Sequence, residues 1–90
     1  APMSLSQNFP NPFKESTVIS FKIIQEDVVS LDVYDVYGRK ITSLIKNDYY
    51  EIGKYSINFT PSHYNLVNGV YYFVLSSSNG LEKKKMMIVD

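Results

Sequence analysis

Between Thr17 and Val89 the apolar residues of this chain recur at every second position, in short runs broken by glycine, asparagine, serine and charged residues. Successive side chains of an extended segment point to opposite faces, so this period describes strands that turn one face toward a core. TVISFKII sets Ile19, Phe21 and Ile23 on one face and Ser20 and Lys22 on the other. VVSLDVYDV does the same with Val29, Leu31 and Val33 against Ser30, Asp32 and Tyr34. KITSLI alternates through Ile41, Ser43 and Ile45, or through Leu44 on the opposite face. GKYSINF turns Tyr55, Ile57 and Phe59 inward. VYYFVLS is apolar on both faces, as a central strand covered on both sides would be. LEKKKMMIV forms a last strand.

Turn chemistry separates these runs. Gly38 supplies a positive φ after YDVY, and SSNG predicts a hairpin with Asn79 and Gly80 as its positive-φ pair. Helix signals are confined to TPSHYNLVNG, where Pro61 and Ser62 open a single short turn and Gly69 ends it. Six strands are clear and a seventh falls in the first dozen residues. Strands roughly eight to twelve residues apart, with no helices between them, predict an all-β antiparallel sandwich.

LSQNFPNPF (Leu5 to Phe13) does not fit the alternation. Proline lacks a backbone donor and fixes φ, so the segment can lie along a sheet edge but not inside a sheet. There Pro10 and Pro12 would block further pairing, while Phe9 and Phe13 plug an open end of the core.

A chain of 90 residues makes one domain, spanning 1–90, with little interior for a deep substrate pocket. Nine basic and nine acidic residues cancel, which gives no electrostatic reason to expect nucleic acid or an anionic membrane as partner. No apolar run is long enough for a spanning helix. The absence of cysteine excludes a disulfide framework and a thiolate metal site. The beginning APMSL points to a segment cut from a longer protein.

Catalytic and metal chemistry find little to work with. His63 is the only histidine and sits in a polar loop, with no nucleophile and orienting group announced around it. The acids Asp27, Asp32, Asp35, Asp48 and Glu51 lack the spacing of a calcium loop. The reading is therefore non-enzymatic, with no catalytic residue, metal or cofactor. Tyr37, Tyr49, Tyr50 and Tyr64 lie in or near turns, where exposed aromatics could bind carbohydrate. The run Lys83, Lys84, Lys85 reads as a lysine-guarded edge strand, which is also a surface a partner strand could join.

LVNGVYYFV contains the arrangement of a tyrosine corner, in which a tyrosine hydroxyl bonds back to the loop before its strand. Tyr71 holds that place, and Gly69 leaves room for the turn. With this feature the sandwich reads as immunoglobulin-like, of about seven strands.

Taken in order, LSQNFPNPF, STVISFKI, VSLDVYDVYGRKITSLI, GKYSINF, LVNGVYYFVL and KKKMMIV resemble the type A C-terminal sorting domain of type IX secretion substrates, the Por secretion tail. The chain is also similar to the immunoglobulin-like domain of flagellar hook-capping proteins. Gly53 with Tyr55, and Leu66 with Gly69 and Tyr71, carry the family's internal motifs. The family's P-x-G-x-Y has Glu51 and Ile52 before Gly53 here, Phe59 replaces a frequent tryptophan, and Asp90 stands where a basic residue often ends the chain. The resemblance implies a C-terminal secretion signal and surface-attachment module behind an N-terminal cargo domain. It implies recognition by outer-membrane type IX and sortase proteins, and a secreted or cell-surface location reached through the periplasm. The recognition residues it implies are Lys83, Lys84, Lys85, Met86 and Ile88. The alternative is a carbohydrate-binding or structural spacer module of a secreted multidomain enzyme.

Overall fold

The alternating runs pair as their patterns require. The computed structural model describes residues 2–90. Its strands are β1 (Met3–Leu5), β2 (Thr17–Ile23), β3 (Asp27–Tyr34), β4 (Lys40–Tyr50), β5 (Gly53–Phe59), β6 (Gly69–Ser77) and β7 (Gly80–Ile88). One sheet has the order β1-β2-β5 and the other β4-β3-β6-β7, with every strand pair antiparallel. The inward faces of both sheets form one core, in which Ile19, Phe21, Leu31, Val33, Phe59, Phe73 and Leu75 are buried. This is an immunoglobulin-like sandwich in which the fourth strand pairs with the third, whereas the constant-type arrangement places it in the opposite sheet.

β4 resolves the ambiguity in KITSLI. Its register with β3 shifts three times, between Val29 and Leu31, Leu31 and Asp32, and Val33 and Tyr34. At each shift β4 carries an extra residue, which is why its 11 residues face only 8 of β3. A bulge breaks the two-residue period, so Ile45 is buried while Ile41 and Leu44 both pack partly against the core.

Three local expectations need correction. The β6–β7 hairpin pairs Ser77 with Gly80, so its loop residues are Ser78 and Asn79 rather than Asn79 and Gly80. The short turn is a 3-10 helix over Pro61–Tyr64, and Asn65 ends it with φ 56°, ahead of Gly69. β6 is central in its sheet, but among the described residues no layer covers its outer face, where Val70, Tyr72 and Val74 are half-exposed.

The proline-bearing segment does run along sheet edges, and it crosses from one sheet to the other. Phe9 bridges antiparallel to Val18 of β2, and Phe13 bridges parallel to Ile88 of β7. Between those bridges Pro10 and Pro12 are exposed, at the crossing where no sheet needs their missing N–H. Phe13 is buried, with its ring edge-on to Phe59 at 6.4 Å. Phe9 is 80% exposed, so only one of the two aromatic plugs enters the core. The reason is alternation: Phe9 is paired with Val18, which itself points outward from β2. The inward place falls to Asn8, buried with its amide donating to Pro10 O (3.2 Å) and Thr17 Oγ (3.0 Å). Thr17 Oγ in turn donates to Pro10 O at 2.8 Å.

Candidate functional site

β7 keeps an unbroken register with β6, from Gly69 opposite Ile88 to Ser77 opposite Gly80. Its side chains therefore alternate strictly. Lys83, Lys85 and Met87 are exposed on the outer face, Met86 and Ile88 are buried in the core, and Lys84 is half-buried on the inward side. Met86 and Ile88 are thus core residues rather than partner contacts, and what β7 offers outward is its lysines and Met87. The signal that separates them is present in the sequence, since in LEKKKMMIV Met86 and Ile88 alternate with Lys85 and Met87, and Met86 stands opposite the buried Tyr71.

The neighbouring rows place aromatic rings among these lysines. Lys85 pairs with Tyr72, which pairs with Tyr34, which pairs with Lys40. Lys83 Nζ stands 4.9 Å from the centre of the Tyr72 ring, within cation–π range. Two acids lie in or beside this part of the face, and both are engaged: Asp32 is buried, accepts from Ser43 Oγ at 2.6 Å and lies 3.8 Å from Lys40 Nζ, and Asp35, which borders the hollow beside Tyr72 and Lys83, accepts from the Arg39 guanidinium at 2.8 Å. The face beside β7 is therefore basic and aromatic.

The edge of β7 is occupied along its C-terminal half. Phe13 N donates to Met87 O at 3.1 Å, and Val89 N donates to Phe13 O at 2.9 Å. Met87 N donates to Asn11 Oδ1 at 2.9 Å, and Gln7 Nε2 donates to Lys85 O at 2.6 Å. Asn11 and Gln7 thus supply side-chain groups where a proline-bearing segment cannot supply a regular ladder. Neither was singled out by the sequence, which drew attention to the rings and prolines around them.

The two glycine–tyrosine motifs share a geometry. Tyr71 Oη donates to Val67 O at 2.9 Å, the expected corner. Tyr55 Oη donates to Glu51 O at 2.8 Å, also four residues back, so Gly53-Lys54-Tyr55 forms a second corner at the start of β5. A Cβ on Gly53 would come within 3.4 Å of Tyr55 Oη. Gly69 takes φ 142°, open to glycine and strained for other residues. Leu66, the remaining motif residue, packs half-buried against the core.

The tyrosines weighed as sugar contacts do not gather. Tyr50 lies edge-on to Phe21 at 5.6 Å and Tyr64 stacks on Phe59 at 5.6 Å, both half-buried. Tyr37 and Tyr49 are exposed, but Tyr37 sits in the β3–β4 turn and Tyr49 beside Val28 at the far end of β3. His63 is exposed on the 3-10 turn. Among the described residues, no helix is long and apolar enough to cross a membrane.

Comparison with known proteins agrees with this architecture. No curated protein matches the chain. Among solved structures, PorZ of Porphyromonas gingivalis, an essential bacterial surface component of the type IX secretion system, superposes with a TM-score of 0.65 over 93% of the chain at 12% identity. The chain spans 11% of that protein's length, and the likeness is one of fold. A Bacteroides fragilis protein named as a β-galactosidase superposes with a TM-score of 0.42 at 16% identity, over 96% of the chain and 15% of its own. The profile of the secretion system C-terminal sorting domain matches residues 7–89, from the strap along β7 to the end of β7 itself. The chain belongs to that family, the C-terminal sorting signal of type IX secretion, which directs export through the outer membrane to the cell surface or beyond.

Proposed function

We propose that the chain is a non-catalytic domain at the C-terminus of an exported protein, with its cargo N-terminal in the same chain. In this reading an outer-membrane translocon, and then a sortase, recognise the folded sandwich through the outer face of β7. Lys83 and Lys85 make the contact, and Lys84 contributes at the margin. The observation that carries the reading is the exposure of two lysines on a strand whose next inward residues, Met86 and Ile88, are buried in the core. A flexible basic tail would offer charge without a defined spacing. Here the lysines are held two residues apart on a regular ladder, and Phe13 and Asn11 hold that ladder's end.

The test must spare the core. Removing residues 83–90 would delete Met86 and Ile88 and unfold the domain, so failure to export would mean nothing. Instead, a reporter carrying the domain with Lys83→Glu and Lys85→Glu is expressed in a bacterium with type IX machinery, its folding checked by thermal melt. Retention in the periplasm is expected. Continued export of the folded variant would refute the role given to the lysines.

A further inference from the structure

We propose that the edge of β7 from Leu81 to Lys85 accepts an extended acidic segment of a partner protein as an added strand. This rests on the reading of β7 as the recognition strand, and it specifies the partner's chemistry and the mode of contact. Met87 fixes the direction of the backbone groups, because its N–H and C=O both bond away from β6, to Asn11 and Phe13. The register is unbroken, so Lys85, Lys83 and Leu81 also direct theirs away from β6. Gln7 takes the carbonyl of Lys85. Among the described residues, nothing pairs with the N–H of Lys85 or with either backbone group of Lys83.

Two features decide what fits this edge. Unpaired backbone groups at every second residue match the main chain of a strand, which a polysaccharide lacks. Lys83 and Lys85 present positive charge from the same two residues, so acidic side chains at alternate positions of the incoming strand would lie directly across from them. The competing acids are engaged elsewhere: Glu82 Oε1 accepts from Leu5 N at 2.8 Å, Asp32 is held by Ser43, and Asp35, beside the same hollow, by Arg39. Beside these lysines lie Tyr72 and Val74, half-exposed on the outer face, with Lys83 Nζ over the Tyr72 ring. Because the strap of residues 7–13 occupies the edge beyond Lys85, the added strand is short, about three to five residues.

The experiment is an amide NMR titration of the 90-residue chain with a synthetic peptide of about ten residues that alternates aspartate with valine and threonine. Shifts centred on the amides of Leu81, Lys83 and Lys85 are expected. Lys83→Glu with Lys85→Glu should weaken binding about tenfold or more, and N-methylation of alternate peptide amides should abolish it. Three outcomes overturn the proposal: no binding at millimolar peptide, equal binding of the N-methylated peptide, or shifts at Tyr34 and Tyr72 with the edge amides unmoved. The last pattern, reproduced by polygalacturonate, would make the face an anionic-glycan site. The export assay reads the sorting role of the lysines whichever way the titration falls, so the two readings fail separately.

Discussion

Along one side of the sandwich β1 faces β7, and along the other β4 faces β5. The first seam is bridged at the Glu82 side chain by Leu5 N and closed from Lys85 onward: Lys85 O from Gln7, Met87 N to Asn11, and two bonds of Phe13, with Met87 and Val89. Phe13 fills the gap behind them. The second seam has no hydrogen bond between β4 and β5 among the described residues. It is bridged by side chains, with Tyr50 edge-on to Tyr55 at 4.7 Å and Ile41, Leu44 and Ile57 half-buried along it. Both edges could invite unwanted pairing, and they are guarded differently. A dedicated strap covers the end of β7, whereas β4 carries three extra residues that break its register. The difference is one of order: β7, bonded to β6 on one side and to the strap on the other, keeps an unbroken register, and β4, paired on one side alone, is irregular.

The largest way to break this comparison is to empty the closed seam. Phe13→Ala should cost about 3–5 kcal/mol, the usual range for deleting a buried aromatic. Ile57→Ala, on the open seam and half-exposed, should cost about 2 kcal/mol or less. Urea melts read both values, and equal losses would mean that the seams are equally packed. Asn8→Ala comes next, at about 1–3 kcal/mol, because it leaves the buried Thr17 hydroxyl without its donor and the Pro10 carbonyl with Thr17 alone. Phe9→Ala should stay within about 0.5 kcal/mol, since the ring is already in water.

These residues also show how far the sequence could be read. The strands were legible because a buried face imposes a period of two, and β2, β3, β5 and β6 keep it. The position of Tyr71 was legible because a corner is a local motif, its donor and acceptor four residues apart. The strap was legible as an edge element, since proline constrains its own backbone whatever surrounds it. Which of its rings turns inward was not, because that depends on Val18, nine residues further along the chain. The bulges of β4 were illegible for a similar reason: an extra residue is extra only relative to the partner strand. Met86 and Ile88 follow the same alternation as the earlier strands, and it is this period that places them in the core.

The two tyrosine corners allow a finer test, since each stands at the start of a strand in a different sheet. Tyr71→Phe removes a part-buried hydrogen bond and should cost about 1 kcal/mol. Tyr55→Phe removes an exposed one beside the open seam and should cost less, about 0.5 kcal/mol. Amide exchange at the starts of β5 and β6 would show whether each loss stays local.

The smallest effects come from two aspartates, each of which holds a turn. Asp27 holds the β6–β7 turn, accepting from Ser78 Oγ at 2.7 Å and Asn79 Nδ2 at 3.1 Å, and so fixes where β7 begins. Asp35 holds the β3–β4 turn, accepting from the Arg39 N–H at 3.0 Å and its guanidinium at 2.8 Å, and so fixes where β4 begins. The Ser78 hydroxyl lowers the carboxyl pKa of Asp27 below its ordinary 3.8, and the Arg39 N–H does the same for Asp35. A pKa lower in the folded state means that the unfolded chain binds the proton more tightly. The stabilisation is therefore complete above the unfolded value and is lost as pH falls through the folded one. Urea midpoints measured from about pH 5 down to about pH 2 should fall for the parent domain and fall less steeply for Asp27→Asn and for Asp35→Asn. The substitutions should also separate in space. Asp27→Asn should speed amide exchange at the start of β7 and spare β4, and Asp35→Asn the reverse. If either substitution loosens both strands together, the seams unfold as one unit, and the pinning of β7 cannot be a property of its own side of the sandwich.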